Sequence, residues 1–128
     1  MQILVVDDEQ PIMQLCVKVL EDQGHTVDGF TRGEQMLAKL GPQPTDLLVV
    51  DYKMPGLNGV EVVRRARGLR PGVRVLMITG HGTQDVLDEA QAVGVNGILL
   101  KPFTPNELVE AVAAALSVPP SPTVSRPA

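Results

Sequence analysis

The sequence predicts an α/β fold, a doubly wound parallel sheet with helices on both faces, and two observations carry that expectation. Residues 3 to 6 (ILVV), 47 to 50 (LLVV), 75 to 78 (VLMI) and 98 to 100 (ILL) are unbroken apolar runs. Unbroken runs, unlike alternating ones, suit strands covered on both faces. Between them the apolar side chains fall three and four apart, as at Ile12, Leu15, Cys16 and Val19, or Leu108, Val112 and Leu116, which is the stripe of a helix lying on a core. With a weaker strand at Thr26 to Phe30, strand and helix alternate five times. Such alternation implies right-handed crossovers and a ligand crevice at the carboxyl ends of the strands.

Each element has its punctuation. Pro11 suits the first turn of a helix, Gly24, Gly41 and Gly94 follow apolar stretches as helix-ending glycines, and Thr104-Pro105 can open the last helix. From Val118 the chain becomes PPSPTVSRPA, which cannot continue a helix and has little to bury. The expected folded unit is therefore residues 1–117, with 118–128 a Pro and Ser-rich tail or linker.

Composition narrows the function classes. A length of 128 residues fits one domain, and 44 % hydrophobic with 20 % charged residues is a folded, soluble balance. The lone Cys16 forms no internal disulfide and no secretory leader opens the chain, so a cytoplasmic location is expected. No apolar run approaches the roughly 18 residues of a membrane span. A net charge of -4 and 2 % aromatic residues argue against direct contact with nucleic acid, which wants a basic face and stacking rings.

The polar residues that stand out all follow strands: Asp7 and Asp8 the first, Asp51 the third, Thr79 the fourth and Lys101 the fifth. Taken singly, such an Asp caps a helix and such a Lys is solvated. Together they converge on the crevice the fold provides. Three carboxylates there repel one another unless a cation binds or protons are retained, and a hard, oxygen-seeking ion such as Mg2+ answers that need. Asp51 can then touch the metal with one oxygen and attack phosphorus with the other. Lys101 and the Thr79 hydroxyl are placed to pair with phosphoryl oxygens.

The stretches LVVDDE (4–9), DYKMPGLNG (51–59), MITGHG (77–82) and LLKPF (99–103) give the chain its resemblance to the receiver domain of bacterial two-component response regulators. The resemblance covers about residues 1–117. It implies a five-stranded, flavodoxin-like sheet of order 2-1-3-4-5, phosphorylation of Asp51, direct magnesium ligation by Asp8, help from Asp7 through water, and a ligand from the Lys53 backbone carbonyl. It also implies that Thr79 is the switch hydroxyl, that Lys101 pairs with the phosphoryl group, and that a cis peptide precedes Pro102. The implied phosphoryl source is a sensor histidine kinase or histidine phosphotransfer protein, and a phosphorylation-dependent homodimer is a further expectation. Lys53 and His81 would border the path of the water that removes the phosphoryl group.

One position departs from the pattern. The family usually has Tyr or Phe three residues before the lysine, where this chain has Ile98, so aromatic rotation there cannot be its output switch. The first helix is apolar beyond a single stripe (Ile12, Met13, Leu15, Cys16, Val17, Val19, Leu20), as a helix that docks a partner would be. Arg64, Arg65, Arg67 and Arg70 read as a solvated helix face. His25 and His81 lack the partners of a catalytic pair.

Three rival readings fit the residues less well. A haloacid-dehalogenase-like phosphatase needs a second acid two residues after the nucleophile, where Lys53 stands. A flavodoxin would cradle its flavin phosphate in the first loop, where Asp7 and Asp8 would repel it. A phosphorylation-independent protein-binding module would be expected to have lost one of the five polar residues, and all five are present.

Overall fold

In a computed structural model that describes residues 1–118, the chain alternates strictly between strand and helix. The order is β1 (Gln2–Val6), α1 (Gln10–Asp22), β2 (Thr26–Phe30), α2 (Gly33–Leu40), β3 (Leu47–Asp51), α3 (Gly59–Leu69), β4 (Arg74–Thr79), α4 (Gln84–Ala92), β5 (Gly97–Leu100) and α5 (Pro105–Ser117). All five strands are parallel in one sheet of order β2-β1-β3-β4-β5. The expected tail falls almost wholly on residues 119–128, outside the described residues.

The unbroken apolar runs arise because successive side chains of a strand point to opposite faces and both faces are covered. Leu4, Val6, Leu48, Val50, Val75 and Met77 pack beneath α2, α3 and α4. Ile3, Val5, Leu47, Val49, Leu76 and Ile78 pack beneath α1 and α5. The edge strand β2 was the weak one in sequence because only Val27 of its five residues is buried.

Helix ends mostly follow the expected chemistry. Pro11 lies in the first turn of α1. Thr104 and Glu107 form a reciprocal capping box on α5, two orphan amide groups satisfied at once. Gly24 and Gly94 sit at φ 91° and 78° just past α1 and α4. Gly41 differs: its φ of -51° is right-handed, and α2 stops because Pro42 has no N–H to donate and cannot extend the ladder.

Two readings of helix surfaces change. Arg64 and Arg65 do pair with Glu61 at the surface, but Arg67 and Arg70 are half-buried staples. Arg67 donates to the carbonyls of Val73 at 2.5 Å and Gly94, and Arg70 to the Leu40 carbonyl at 3.1 Å. The surplus apolar surface of α1 is largely packed against the sheet, with Cys16 and Leu20 buried and Leu15 left 39 % exposed. Among the described residues no helix is long and apolar enough to cross a membrane.

Candidate functional site

Strand register assembles the site. Val6 pairs with Val50, which sets Asp7 beside Asp51. Asp51 pairs with Ile78, the neighbour of Thr79, and Thr79 pairs with Leu100, the neighbour of Lys101. Residues 22 to 94 positions apart in sequence thereby meet at the carboxyl end of the sheet, across its three central strands and β5. The loop after β3 is drawn tight, with the Gly59 N–H donating to the Tyr52 carbonyl at 2.8 Å and the Tyr52 N–H to the Ile78 carbonyl at 2.7 Å. A side chain at Gly59 would lie 2.4 Å from the Asp51 carbonyl oxygen and 2.8 Å from the Tyr52 Cα, so only glycine lets α3 start this close to the end of β3.

Asp7 and Asp51 are buried and Asp8 is exposed, and one carboxylate oxygen of each lies within 4.8 Å of the others. Lys101 Nζ reaches Glu9 at 2.8 Å, Asp7 at 3.1 Å and Asp51 at 3.4 Å. Beside them opens a cavity of about 590 Å3, bordered by Asp8, Glu9, Asp51, Lys53, His81 and Lys101 among others. Asp7 stands behind this cavity. Its Oδ1 accepts from the Glu9 N–H at 2.9 Å. The Lys101–Pro102 peptide is cis.

The electrostatics follow from burial. Desolvation, reinforced by the neighbouring Asp7 charge, lifts the Asp51 carboxyl to about 7 against the pull of Lys101. Desolvation also raises Asp7, opposed by the Glu9 amide and by Lys101. Burial works against the Lys101 ammonium, but its hydrogen bond to Glu9 and the Asp51 and Asp7 charges outweigh it and hold the pKa above its ordinary value. The buried Cys16 thiol is pushed up to about 12, chiefly by desolvation, and so stays an inert thiol.

The site therefore holds more negative charge than one lysine balances. Asp7 Oδ2 is fully buried and receives no hydrogen bond, having only the ion pair with Lys101. Three convergent carboxylates with a buried oxygen left without a donor fit a small divalent cation with oxygen ligands.

Thr79 is buried at the end of β4, and its Oγ1 accepts from the His81 N–H at 2.9 Å. The hydroxyl thus anchors the loop to α4 and does not border the cavity. Ile98 is half-buried and packs into the core layer shared with α4. Two residues escaped the sequence reading: Glu9, the nearest partner of Lys101, and Tyr52, whose hydroxyl donates to Glu89 on α4 at 2.5 Å. Glu9 stood in the LVVDDE stretch where a helix cap is the ordinary expectation, and it caps nothing with its side chain. For Tyr52 the only signal was its position next to Asp51.

Residues 3–113 match the response regulator receiver domain family. The sporulation initiation phosphotransferase F of Bacillus subtilis is 31 % identical over 87 % of this chain and 90 % of its own length. The phosphate regulon transcriptional regulatory protein PhoB of Pseudomonas aeruginosa is 33 % identical over 89 % of this chain. This chain spans about half the length of PhoB (51 %) and of the similar Bacillus regulator ResD (48 %). Among solved structures, the chemotaxis protein CheY4 of Vibrio cholerae superimposes with a TM-score of 0.85 at 31 % identity, covering 89 % of this chain and 97 % of that one. The chain belongs to the receiver domain family of two-component response regulators, and is a signalling domain of CheY-like fold.

Proposed function

We propose that this domain carries a phosphoryl group on Asp51 and switches conformation to signal to an effector. The observation that carries the reading is Asp51 itself, a buried carboxylate at the end of a central strand, flanked by two further carboxylates and an ammonium and bordering an open cavity. The phosphoryl group would come from a sensor histidine kinase or a histidine phosphotransfer protein in the cytoplasm. The functional unit is residues 1–117, and the only chemistry it performs is on itself.

Magnesium fits the carboxylate set. Asp8 and Asp51, which border the cavity, and the Lys53 carbonyl would hold it directly, with Asp7 behind them acting through water. When bound, it supplies positive charge that offsets the carboxylate and phosphoryl oxygens. An Asp51 oxygen attacks phosphorus as the bond from phosphorus to the donor nitrogen breaks, and that electron pair leaves with the imidazole. Lys101 exchanges a carboxylate partner for a phosphoryl oxygen as a charged donor. Thr79 turns its hydroxyl from the loop toward another phosphoryl oxygen. The phosphatase reading is not supported, because Lys53 offers no acid at the position that would protonate a leaving group.

The test is intact-mass measurement after incubation with magnesium and acetyl phosphate. One added phosphoryl group is expected, lost in Asp51→Asn. An undiminished shift in that variant would remove Asp51 from the role.

A further inference from the structure

Tyr52 and Glu89 link the site to α4 by a contact that neither the fold nor the acidic cluster requires. The Tyr52 backbone is fixed on two sides, by the Ile78 carbonyl and the Gly59 N–H, and its ring packs against the core layer beneath α2, α3 and α4. From this fixed post the hydroxyl donates to Glu89 Oε1 at 2.5 Å. Glu89 in turn holds the phenol above its ordinary pKa, chiefly through that hydrogen bond.

The helix at the other end is lightly held. Of the nine residues of α4 only Val86 and Ala90 are buried, and the Thr83 side chain makes no cap bond. Arg67 staples the far end at the Gly94 carbonyl, and toward the site, among the described residues, Thr79 Oγ1 to the His81 N–H and Tyr52 to Glu89 restrain the leading loop and the helix body. Beside the Tyr52 ring lies a cavity of about 350 Å3 bordered by Tyr52, Lys53, Asn58, His81, Thr83 and Val86, room for the loop to move. Ile98 has no polar atom with which to replace either bond.

We propose that Tyr52 and Glu89 form a latch that keeps α4 in its resting position, and that phosphorylation opens it; the opening step rests on the phosphoacceptor reading of Asp51. When Thr79 gives its hydroxyl to a phosphoryl oxygen, the loop at His81 loses its anchor. The loop and α4 then shift against a post that cannot follow, and the hydrogen bond to Glu89 breaks. The output is a displaced α4 with a freed Glu89 carboxylate. Tyr52 acts through α4 and touches no reacting atom.

Hydrogen exchange of residues 84–92 reads the latch directly, with and without magnesium and acetyl phosphate, and with intact mass taken on the same samples. Tyr52→Phe keeps the ring and removes the donor, while Glu89→Gln weakens the acceptor. Without phosphodonor, both variants should exchange in this segment about threefold faster than the parent, the loss expected for one hydrogen bond to a charged group at a partly exposed site. With phosphodonor, the parent should speed up and Tyr52→Phe should respond less than half as much. Parent-like exchange in unphosphorylated Tyr52→Phe overturns the latch, and so does a full-sized response in that variant once its mass shows the phosphoryl group. A parent that gains no mass fails the phosphoacceptor reading and the opening step with it, while the resting latch is still decided by the unphosphorylated comparison.

Discussion

At the mouth of the cleft one ammonium faces three carboxylates, Lys101 against Glu9, Asp7 and Asp51. The 60 % exposed Glu9 side chain is the nearest of the three, and its pair with Lys101 is the one that water screens most. That leaves the ammonium held near Asp51 and ready to change partners. Lys53 and His81 are both exposed at the rim of the same cavity, and neither offers a carboxylate or amide to orient an attacking water. A Lys53 ammonium reaching over the phosphoryl group would add bulk and a favourable charge contact. The expected lifetime of phosphorylated protein is therefore minutes or longer. Lys53→Asn should shorten it about tenfold, which needs only about 1.4 kcal/mol of barrier. Decay followed after removal of the donor checks this, and loss within seconds in the parent or an unchanged rate in the variant contradicts it.

Among the elements, α3 is the one whose start position matters most to the site. Its first residue, Gly59, lies so close to the Asp51 and Tyr52 backbone that an added methyl group meets main chain rather than a movable side chain. Gly59→Ala should cost about 1–3 kcal/mol, read as a lower denaturation midpoint, and should also lower magnesium affinity by displacing Asp51. A variant with parent stability and affinity would show that the loop relaxes freely. The strands were legible because burial on both faces writes itself as unbroken apolar runs, their order in the sheet was implied only by the family resemblance, and the edge strand β2 was faint because solvent covers part of it. Asp7, Asp8, Asp51 and Lys101 were legible as a group because parallel topology sends every strand end to one edge. The Arg67 staple, the Glu9–Lys101 pair and the Tyr52–Glu89 bond were not, since each depends on how helices and loops lean on one another, which no periodicity records. Thr79 was expected in the crevice, and its hydroxyl is instead tied to the following loop.

For the molecule as a whole, the unbalanced carboxylates should make stability depend on pH and on magnesium together. Burial raises the folded-state pKa of both Asp51 and Asp7, so between about pH 4 and pH 7 the metal-free folded protein binds more protons than the unfolded chain. The stability that these two carboxyls contribute is thus fully present below about pH 4 and is lost as pH rises through the folded-state value of Asp51 at about 7. A divalent ion removes the repulsion that makes the protons necessary, and at one hundred times its Kd it adds about 2.7 kcal/mol. The melting temperature should therefore rise more on adding magnesium at about pH 8 than at about pH 5, and Asp8→Asn should lose most of that increment. An increment independent of pH, or undiminished in Asp8→Asn, would separate the metal from the carboxylate cluster.

The central claim is that the Asp51 carboxylate itself becomes the acyl phosphate, and it has a direct chemical test. Borohydride reduces an acyl phosphate to an alcohol, which would convert a phosphorylated aspartate to homoserine and mark its position permanently. Protein incubated with magnesium and acetyl phosphate, reduced and digested, should yield homoserine at position 51 in the peptide mass spectrum and at no other aspartate. Homoserine at another aspartate, or phosphorylated protein that yields no homoserine at position 51, would contradict it.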